Sequence, residues 1–495
     1  MTIAFSLNFT GMRRQFLISL LFFLFSTGFL EAQDKWDLTR LVAYAIDNNI
    51  SVKQADLQIR YSELTLLQNR GSQIPTLNFG LNSGLNLGRR ENPSTGILQD
   101  QKTFSTTTNL QSGVTLFNWF SIKNAIAASR LTIEADKAQS KKVQDDIALN
   151  VAVAYLQILL AKEQTNIAGL QVQQTLSQLD LTRKKVNAGA LPELNAAELE
   201  AQLARDSSAL ITTEAAIQQS LLQMKVLLNL DASDTFDVVT PPVDKIPIET
   251  LADLQPEVVY NLAIKNLSQQ EVTALRIESA LKTVESVRGN MYPNISAFGS
   301  INSSYVYFRN AIYRQVLTGF QNSGLRVDAG NGTFFNVQAP NFTQGTKTGQ
   351  YFTPDPFGQQ LSANFGQGFG LGVQVPIFNG RSARTAWERS KLNVEQLQLQ
   401  DQQEKQTLKQ DIYRAYTDAI AAIEKFNASQ KSVAAAQKAF DFAQKRYDLN
   451  LVSTYDLVNT QNNLLRARLE MISAQYDFVF KMKLLEFYKG QGLKL

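Results

Sequence analysis

The sequence contains no cysteine and no histidine in 495 residues. The first absence removes disulfides, thiolate metal sites and cysteine nucleophiles, and the second removes the commonest metal ligand and general base. Most hydrolase and metalloenzyme arrangements are thereby excluded. Charge of either sign is scarcely in excess: 48 Lys+Arg stand against 44 Asp+Glu, a net of +4. That is too little, on a chain of this size, to argue for nucleic acid as a partner. No metal, cofactor or catalytic constellation is expected, so the chain reads as a non-enzyme. Apolar residues make up 44%, enough for a core, and length alone would suggest several compact domains.

What is present argues against that count, because the chain says nearly the same thing twice. Leu116-Phe117-Asn118 returns as Ile377-Phe378-Asn379, Ala154-Tyr155 as Ala415-Tyr416, and Val186-Asn187 as Tyr447-Asp448. The offset is 261 residues throughout, which marks a duplicated unit. Before the first copy, Arg13-Arg14 precede an apolar run from Phe16 to Phe29 that ends at Ala32. This predicts a secretory signal over 1–32; the run is short of the roughly 20 residues that span a bilayer.

Long amphipathic helices are predicted over Trp36 to Gly71, Trp119 to Ala188, Pro192 to Leu230, Pro256 to Gly289, Gly380 to Asn450 and Thr454 to Gly490. Their apolar positions keep a heptad beat, as in Leu457, Leu464, Met471, Phe478 and Leu485, which specifies supercoiled packing. A plain coiled-coil rod satisfies these observations equally.

Four strand patterns break the tie. Odd positions from Leu77 to Leu87 and from Leu361 to Ile377 are mainly apolar, and even ones are largely Asn, Gly, Ser or Gln; the partners are Phe104 to Leu116 and Ile295 to Tyr307. The lengths suit membrane strands, with aromatics at the ends as in an outer-membrane barrel. The glycines from Gly366 to Gly372 fall on one face of a strand, where small side chains leave room inside, and do not form a phosphate loop. Four strands cannot close a barrel, so other copies must pair the edges.

At this point the chain resembles the TolC-type outer-membrane factors of tripartite efflux and type I secretion systems. The marks are Gln73-Ile74-Pro75-Thr76-Leu77 and Met291-Tyr292-Pro293-Asn294 entering the strands, Val373 to Gly380 leaving them, and Ala152 to Leu156 in the long helix. The resemblance covers Trp36 to Gly490. It implies a mainly α fold with a β-barrel: a homotrimer whose twelve-stranded barrel sits in outer-membrane lipid and continues into a twelve-helix periplasmic tunnel. It implies as partners a periplasmic adaptor (membrane fusion) protein and an inner-membrane pump, and no cofactor.

The resemblance also places the moving parts. Ala188, Gly189, Ala190 and Leu191, with Asn450, Leu451, Val452 and Ser453, match the helix tips where the tunnel closes and the adaptor docks. Asp456 and Asn459 align with two acidic positions lining the closed entrance, and Tyr447 and Asn195 with a latch tyrosine and its partner. Two departures stand out: Asn459 is not acidic, and Val452 stands where an arginine can help hold the entrance shut. Solvated helix-start carboxylate is the plainer reading of Asp456.

The expected layout is a signal over 1–32, a first repeat over 33–230 with strand pair 76–116, a linker over 231–255, a second repeat over 256–490 with strand pair 294–378, and a tail over 491–495. The second strand pair carries a long external loop, 309–357, either folded over the mouth or disordered. The expected function is a passive exit channel in the outer membrane of a diderm bacterium, for small molecules or for proteins. A periplasmic coiled-coil adaptor or scaffold without a barrel is the alternative.

Overall fold

The computed structural model describes residues 35–91, 98–242, 246–308, 310–352, 354–449 and 451–490. The expected signal over 1–32, the tail over 491–495 and Asn450 lie outside the described residues. The element order is α1 (Leu38–Asn48), α2 (Ile50–Gly71), β1 (Thr76–Glu91), β2 (Leu98–Phe117), α3 (Ser121–Asn187) and α4 (Glu193–Leu228). A 3₁₀ turn at Leu251–Leu254 precedes α5 (Pro256–Asn266), α6 (Ser268–Gly289), β3 (Asn294–Phe308), β4 (Asn310–Asp328) and β5 (Phe334–Phe352). The chain closes with α7 (Phe357–Ala363), β6 (Gly366–Gln374), α8 (Ser382–Asp448) and α9 (Thr454–Tyr488).

The duplication is visible in the bounds. Helices α3 and α8 both have 67 residues and start 261 positions apart, at Ser121 and Ser382. Helices α1 and α5 both have 11 residues, α2 and α6 both have 22, and here the offset is 218, from Leu38 to Pro256 and from Ile50 to Ser268. The difference, 43 residues, is an insertion in the second strand region.

The chain divides into two compact units. The first, residues 35–62, 131–278 and 395–490, is helical, and its core is built twice. Leu41, Ala45, Val151, Leu221 and Met224 are buried in one cluster, and Val259, Ala263, Ile412, Met482 and Leu485, their repeat equivalents, in another. Tyr155 donates to Val239 O at 2.7 Å, and burial, with Asp37 nearby, pushes its hydroxyl up to about 12. A short bridge from Trp36 to Val238 ties the chain's start to the linker. Asp237 beside it is held below the usual carboxylate range: burial raises it, but Lys162, the Val238 N–H and Lys35 together outweigh burial.

The second unit, residues 63–130 and 279–394, holds one antiparallel sheet in the order β1-β2-β3-β6, with the β4–β5 ribbon apart from it. Residues directly opposite in the ladder share a face. One face carries Leu77, Phe79, Leu81, Leu85 and Leu87 of β1, Leu110 and Ile301 at mid-sheet, and Phe369, Leu371 and Val373 of β6, and all of these large side chains except Ile301 and Leu110 are more than half exposed. The other carries Asn78, Gln111, Ser300 and Gly368 in one row, and Gly80, Asn109, Asn302 and Gly366 in the next.

Several expectations are corrected. The alternation from Leu361 predicts a strand through Ile377, but Phe357–Ala363 is helical and β6 spans Gly366–Gln374. The pattern counted residues of the helix that leads into the strand. Where described, the loop over 309–357 is the β4–β5 ribbon followed by the start of α7. The helices expected over Trp36 to Gly71 and Pro256 to Gly289 are each broken once, at Asn49 and Leu267, where the backbone is extended. Finally, the β6 glycines do not all leave open space, because a Cβ at Gly370 would stand 2.9 Å from the ring of Phe298.

Candidate functional site

The candidate site is the pair of turns that close α3 onto α4 and α8 onto α9, in the helical unit. The two turns are built alike. Ala190 N donates to Lys185 O and Leu451 N to Arg446 O, each at 2.8 Å; the second bond is the first displaced by the repeat offset. Gly189 has φ +75, which a glycine adopts without steric cost. Below the turns, Leu179, Ala196 and Leu199 pack with Val186 and Leu203, and the equivalents Phe440, Leu457, Tyr447 and Leu464 form the matching cluster.

Tyr447 is buried. Its hydroxyl lies 2.9 Å from Thr182 Oγ1 and accepts from Thr454 Oγ1 at 3.4 Å, and the Lys185 ammonium stands 5.6 Å from its ring. Asn195 is half-buried at the start of α4, where its backbone N–H donates to Pro192 O at 3.1 Å. Among the described residues no hydrogen bond joins Tyr447 to Asn195; the tyrosine is tied to Thr182 and Thr454 instead. Val452 packs against the cluster holding Phe440, Tyr447 and Leu457. Apolar contact therefore occupies the position where an ion pair would need an arginine.

Asp456 is exposed at the start of α9, and its carboxylate is already engaged. Ser453 Oγ donates to Asp456 Oδ2 at 2.7 Å, and the Ser453 and Asp456 backbone N–H groups complete a reciprocal capping box. One carboxylate thus satisfies two donors at the helix start, where the dipole also favours negative charge. It borders a groove of about 710 Å³ with Phe442, Arg446, Leu451, Val452 and Thr460. Asn459 is exposed one turn further on. At the tips, Ala188, Gly189 and Ala190 are exposed, Leu191 is half-buried, Leu451 and Ser453 are exposed and Val452 is half-buried. Among the described residues no cluster of acidic groups could hold a metal ion.

Sequence reading missed a buried polar layer behind the tips. Asp206 accepts from Thr175 Oγ1 at 2.6 Å and from Gln202 Nε2 at 2.8 Å, and Gln461 Nε2 donates to Thr175 Oγ1 at 3.0 Å. All four residues are buried. Gln178 Nε2 donates to Gln444 Oε1 at 2.8 Å one turn nearer the tip. The signal was available: Thr175 and Thr182 are seven residues apart, as are Leu199 and Asp206, so polar groups occupy interior heptad places.

Comparison with known proteins gives the family and the fold. The family model described as outer membrane efflux protein matches residues 41–230 and 358–483. The chain is 22% identical over 295 residues to the pyoverdine export outer membrane protein OpmQ of Pseudomonas putida, covering 57% of this chain and 60% of that protein, less than two thirds of its length. It is 22% identical over 400 residues to the alkaline protease secretion protein AprF of Pseudomonas aeruginosa, covering 79% of this chain and 70% of AprF. Among solved structures, CusC superposes with a TM-score of 0.71 at 15% identity, covering 92% of each chain.

Proposed function

Because the chain belongs to the outer membrane efflux protein family, we propose that three copies form a passive exit duct, with a twelve-stranded barrel in outer-membrane lipid and a twelve-helix tunnel in the periplasm. The observation that carries this reading is the sheet. Each copy supplies four strands to this sheet, β1 and β6 have one edge each without a partner among the described residues, and one face is apolar and exposed. Leaving the eight side chains that are more than half exposed in water would cost about 1.5–3 kcal/mol each, whereas lipid accepts them. A barrel of about eight strands is the smallest usual size, so closure needs further copies. A periplasmic scaffold has no use for these strands.

The polar face then lines the lumen, and the helix tips form the periplasmic entrance. We assign Asp456 and Asn459 to a ring around the axis, with Tyr447 as the latch and Asn195 as its partner position. Three Asp456 carboxylates favour cations, and with Asn459 in place of an acid the ring is single. The tips at Ala188 to Leu191 and Asn450 to Ser453 would receive a periplasmic adaptor, and an inner-membrane pump would supply the energy. The duct performs no chemical step. The similar proteins export a small molecule in one case and a protease in another, so cargo choice belongs to the pump.

The test is to extract the protein from the outer membrane in detergent and to measure particle mass and single-channel conductance in a planar bilayer. A trimeric particle with a small conductance that rises severalfold in Asp456→Ala is expected. A soluble, non-conducting product would overturn the duct; unchanged conductance in Asp456→Ala would remove Asp456 from the gate.

A further inference from the structure

The 43-residue insertion of the second repeat is folded, and among the described residues its two strands pack chiefly on each other. Strands β4 and β5 pair along their length from Asn310 opposite Phe352 to Asp328 opposite Phe334. A lone two-stranded ribbon is marginal in water and needs a third element to pack upon. Among the described residues the ribbon's substantial packing is strand on strand, while α7 packs on β3. The register sets Leu317 opposite Phe342 and Phe320 opposite Pro340 on one face. These side chains are exposed.

The segment that returns from the ribbon also cuts short the edge that other copies must use. Strand β1 has 16 residues and β6 has nine. Beyond Asn302, the side of β3 where β6 would continue is taken by α7. Gln360 Nε2 donates to Val306 O at 3.1 Å and Gln360 Oε1 accepts from Val306 N at 3.0 Å, the pair of bonds a neighbouring strand would make. Asn364 Nδ2 donates to Ser304 O at 2.7 Å, Ser303 Oγ donates to Leu361 O at 2.7 Å, and the Phe357 ring meets Tyr305 at 5.0 Å. The ladder therefore stops at Gly366. When β6 of one copy pairs with β1 of the next, at least seven residues at the loop end of β1, from Leu85 to Glu91, outrun it. An open strand edge is a template for another strand.

We propose that the β4–β5 ribbon of one copy packs on the loop end of β1 of the next, so that the mouth is held by exchanged ribbons. This rests on the multi-copy duct proposed above. The occupant is a second copy because the ribbon and the open edge arise at the same place. The ribbon starts two positions after β3 ends, and α7 returns the chain to the end of the β6 edge, where the neighbour's β1 must lie. Strand β1 offers Leu85 and Leu87, exposed, to the ribbon's apolar face.

The absence of cysteine makes the test clean. Two differently tagged full-length chains, one carrying Leu87→Cys and the other Phe320→Cys, are co-expressed, and outer membranes are oxidised mildly. A disulfide-linked dimer bearing both tags is expected, with none when Leu87→Cys is replaced by Ser300→Cys at mid-sheet. A second chain with residues 312–350 replaced by an Asn-Gly turn should still insert and conduct, with its trimer dissociating in detergent at least 10 °C lower. No cross-link from Leu85→Cys or Leu87→Cys to Phe320→Cys or Phe342→Cys, together with an unchanged trimer after deletion, would overturn the exchange and leave the duct standing. In a single chain carrying both Leu87→Cys and Phe320→Cys, a disulfide formed within that chain rather than between chains would overturn it too. Full-length protein that is monomeric in detergent would sink both.

Discussion

Asp206 is a buried carboxylate with hydrogen-bond donors on two helices, Thr175 of α3 and Gln202 of its own α4. Because an unpaired buried acceptor costs more than a missing pair, Thr175→Val should destabilise the helical unit by about 1–3 kcal/mol. The double change Thr175→Val with Asp206→Leu should recover most of that, as thermal loss of helical signal in detergent would reveal; equal losses would mean the layer carries no coupling. Asp237 gives a pH prediction. Its folded carboxyl is held low by Lys162, the Val238 N–H and Lys35 against the opposing effect of burial. Its stabilisation is therefore present above the unfolded value of about 3.9 and is lost as pH falls through the lower folded value. Acid titration should loosen the Trp36 to Val238 bridge below about pH 4, read by amide exchange at Val239, whose N–H donates to Trp36 O; in Asp237→Asn the bridge should be weak at neutral pH and insensitive to acid.

At the level of elements, the heptad beat is legible because burial on one stripe of a helix imposes it whatever the neighbours are. The helix breaks at Asn49 and Leu267 are not legible, since neither site has Gly or Pro. Asn49 ends α1 by taking its side chain elsewhere: Nδ2 donates to Leu227 O and Oδ1 accepts from Ser51 N, each at 2.8 Å. That first bond spans 178 residues, so no local pattern announces it. The strand overreach at Leu361 has a similar cause, because α7 is fixed by Gln360 bonding to Val306. Tyr447 was found through the resemblance, but its partners Thr182 and Thr454 depend on how three helices meet. The repeat supplies its own control here. A Cβ at Gly289 would stand 2.7 Å from Ser121 Cβ and 3.1 Å from Asn118 O, while its equivalent Gly71 has open space. Gly→Ala in a helix ordinarily gains about 0.5–1 kcal/mol, but overpacking costs about 1–3 kcal/mol. Gly289→Ala should therefore lower the melting temperature and Gly71→Ala should not; the same sign at both would show that the helix start at Ser121 gives way freely.

For the whole molecule, the two faces of the sheet decide what surrounds it. The row of Leu77, Ser112, Gly299 and Phe369 and the row of Thr76, Gly113, Phe298 and Gly370 are adjacent in the ladder and point to opposite sides. Apolar and polar faces were legible from period two alone, whereas the number of copies is not, since one chain's sheet has open edges whatever closes them. Phe298 fills the space over Gly370 on the polar side, so that face is partly filled there. If the apolar face meets lipid, Phe369→Arg places a charge in hydrocarbon at a cost of about 2–4 kcal/mol near mid-membrane. Ser300→Arg, on the polar face, should be tolerated. The expected outcome is reduced folded yield and an earlier-melting oligomer for Phe369→Arg, with near-normal assembly and reduced cation conductance for Ser300→Arg. The reverse ranking would turn the sheet inside out and place the polar row toward lipid, which the hydration of Asn, Gln and Ser side chains forbids. Equal tolerance at both sites would instead mean that water bathes both faces, and a barrel in the membrane would no longer be tenable.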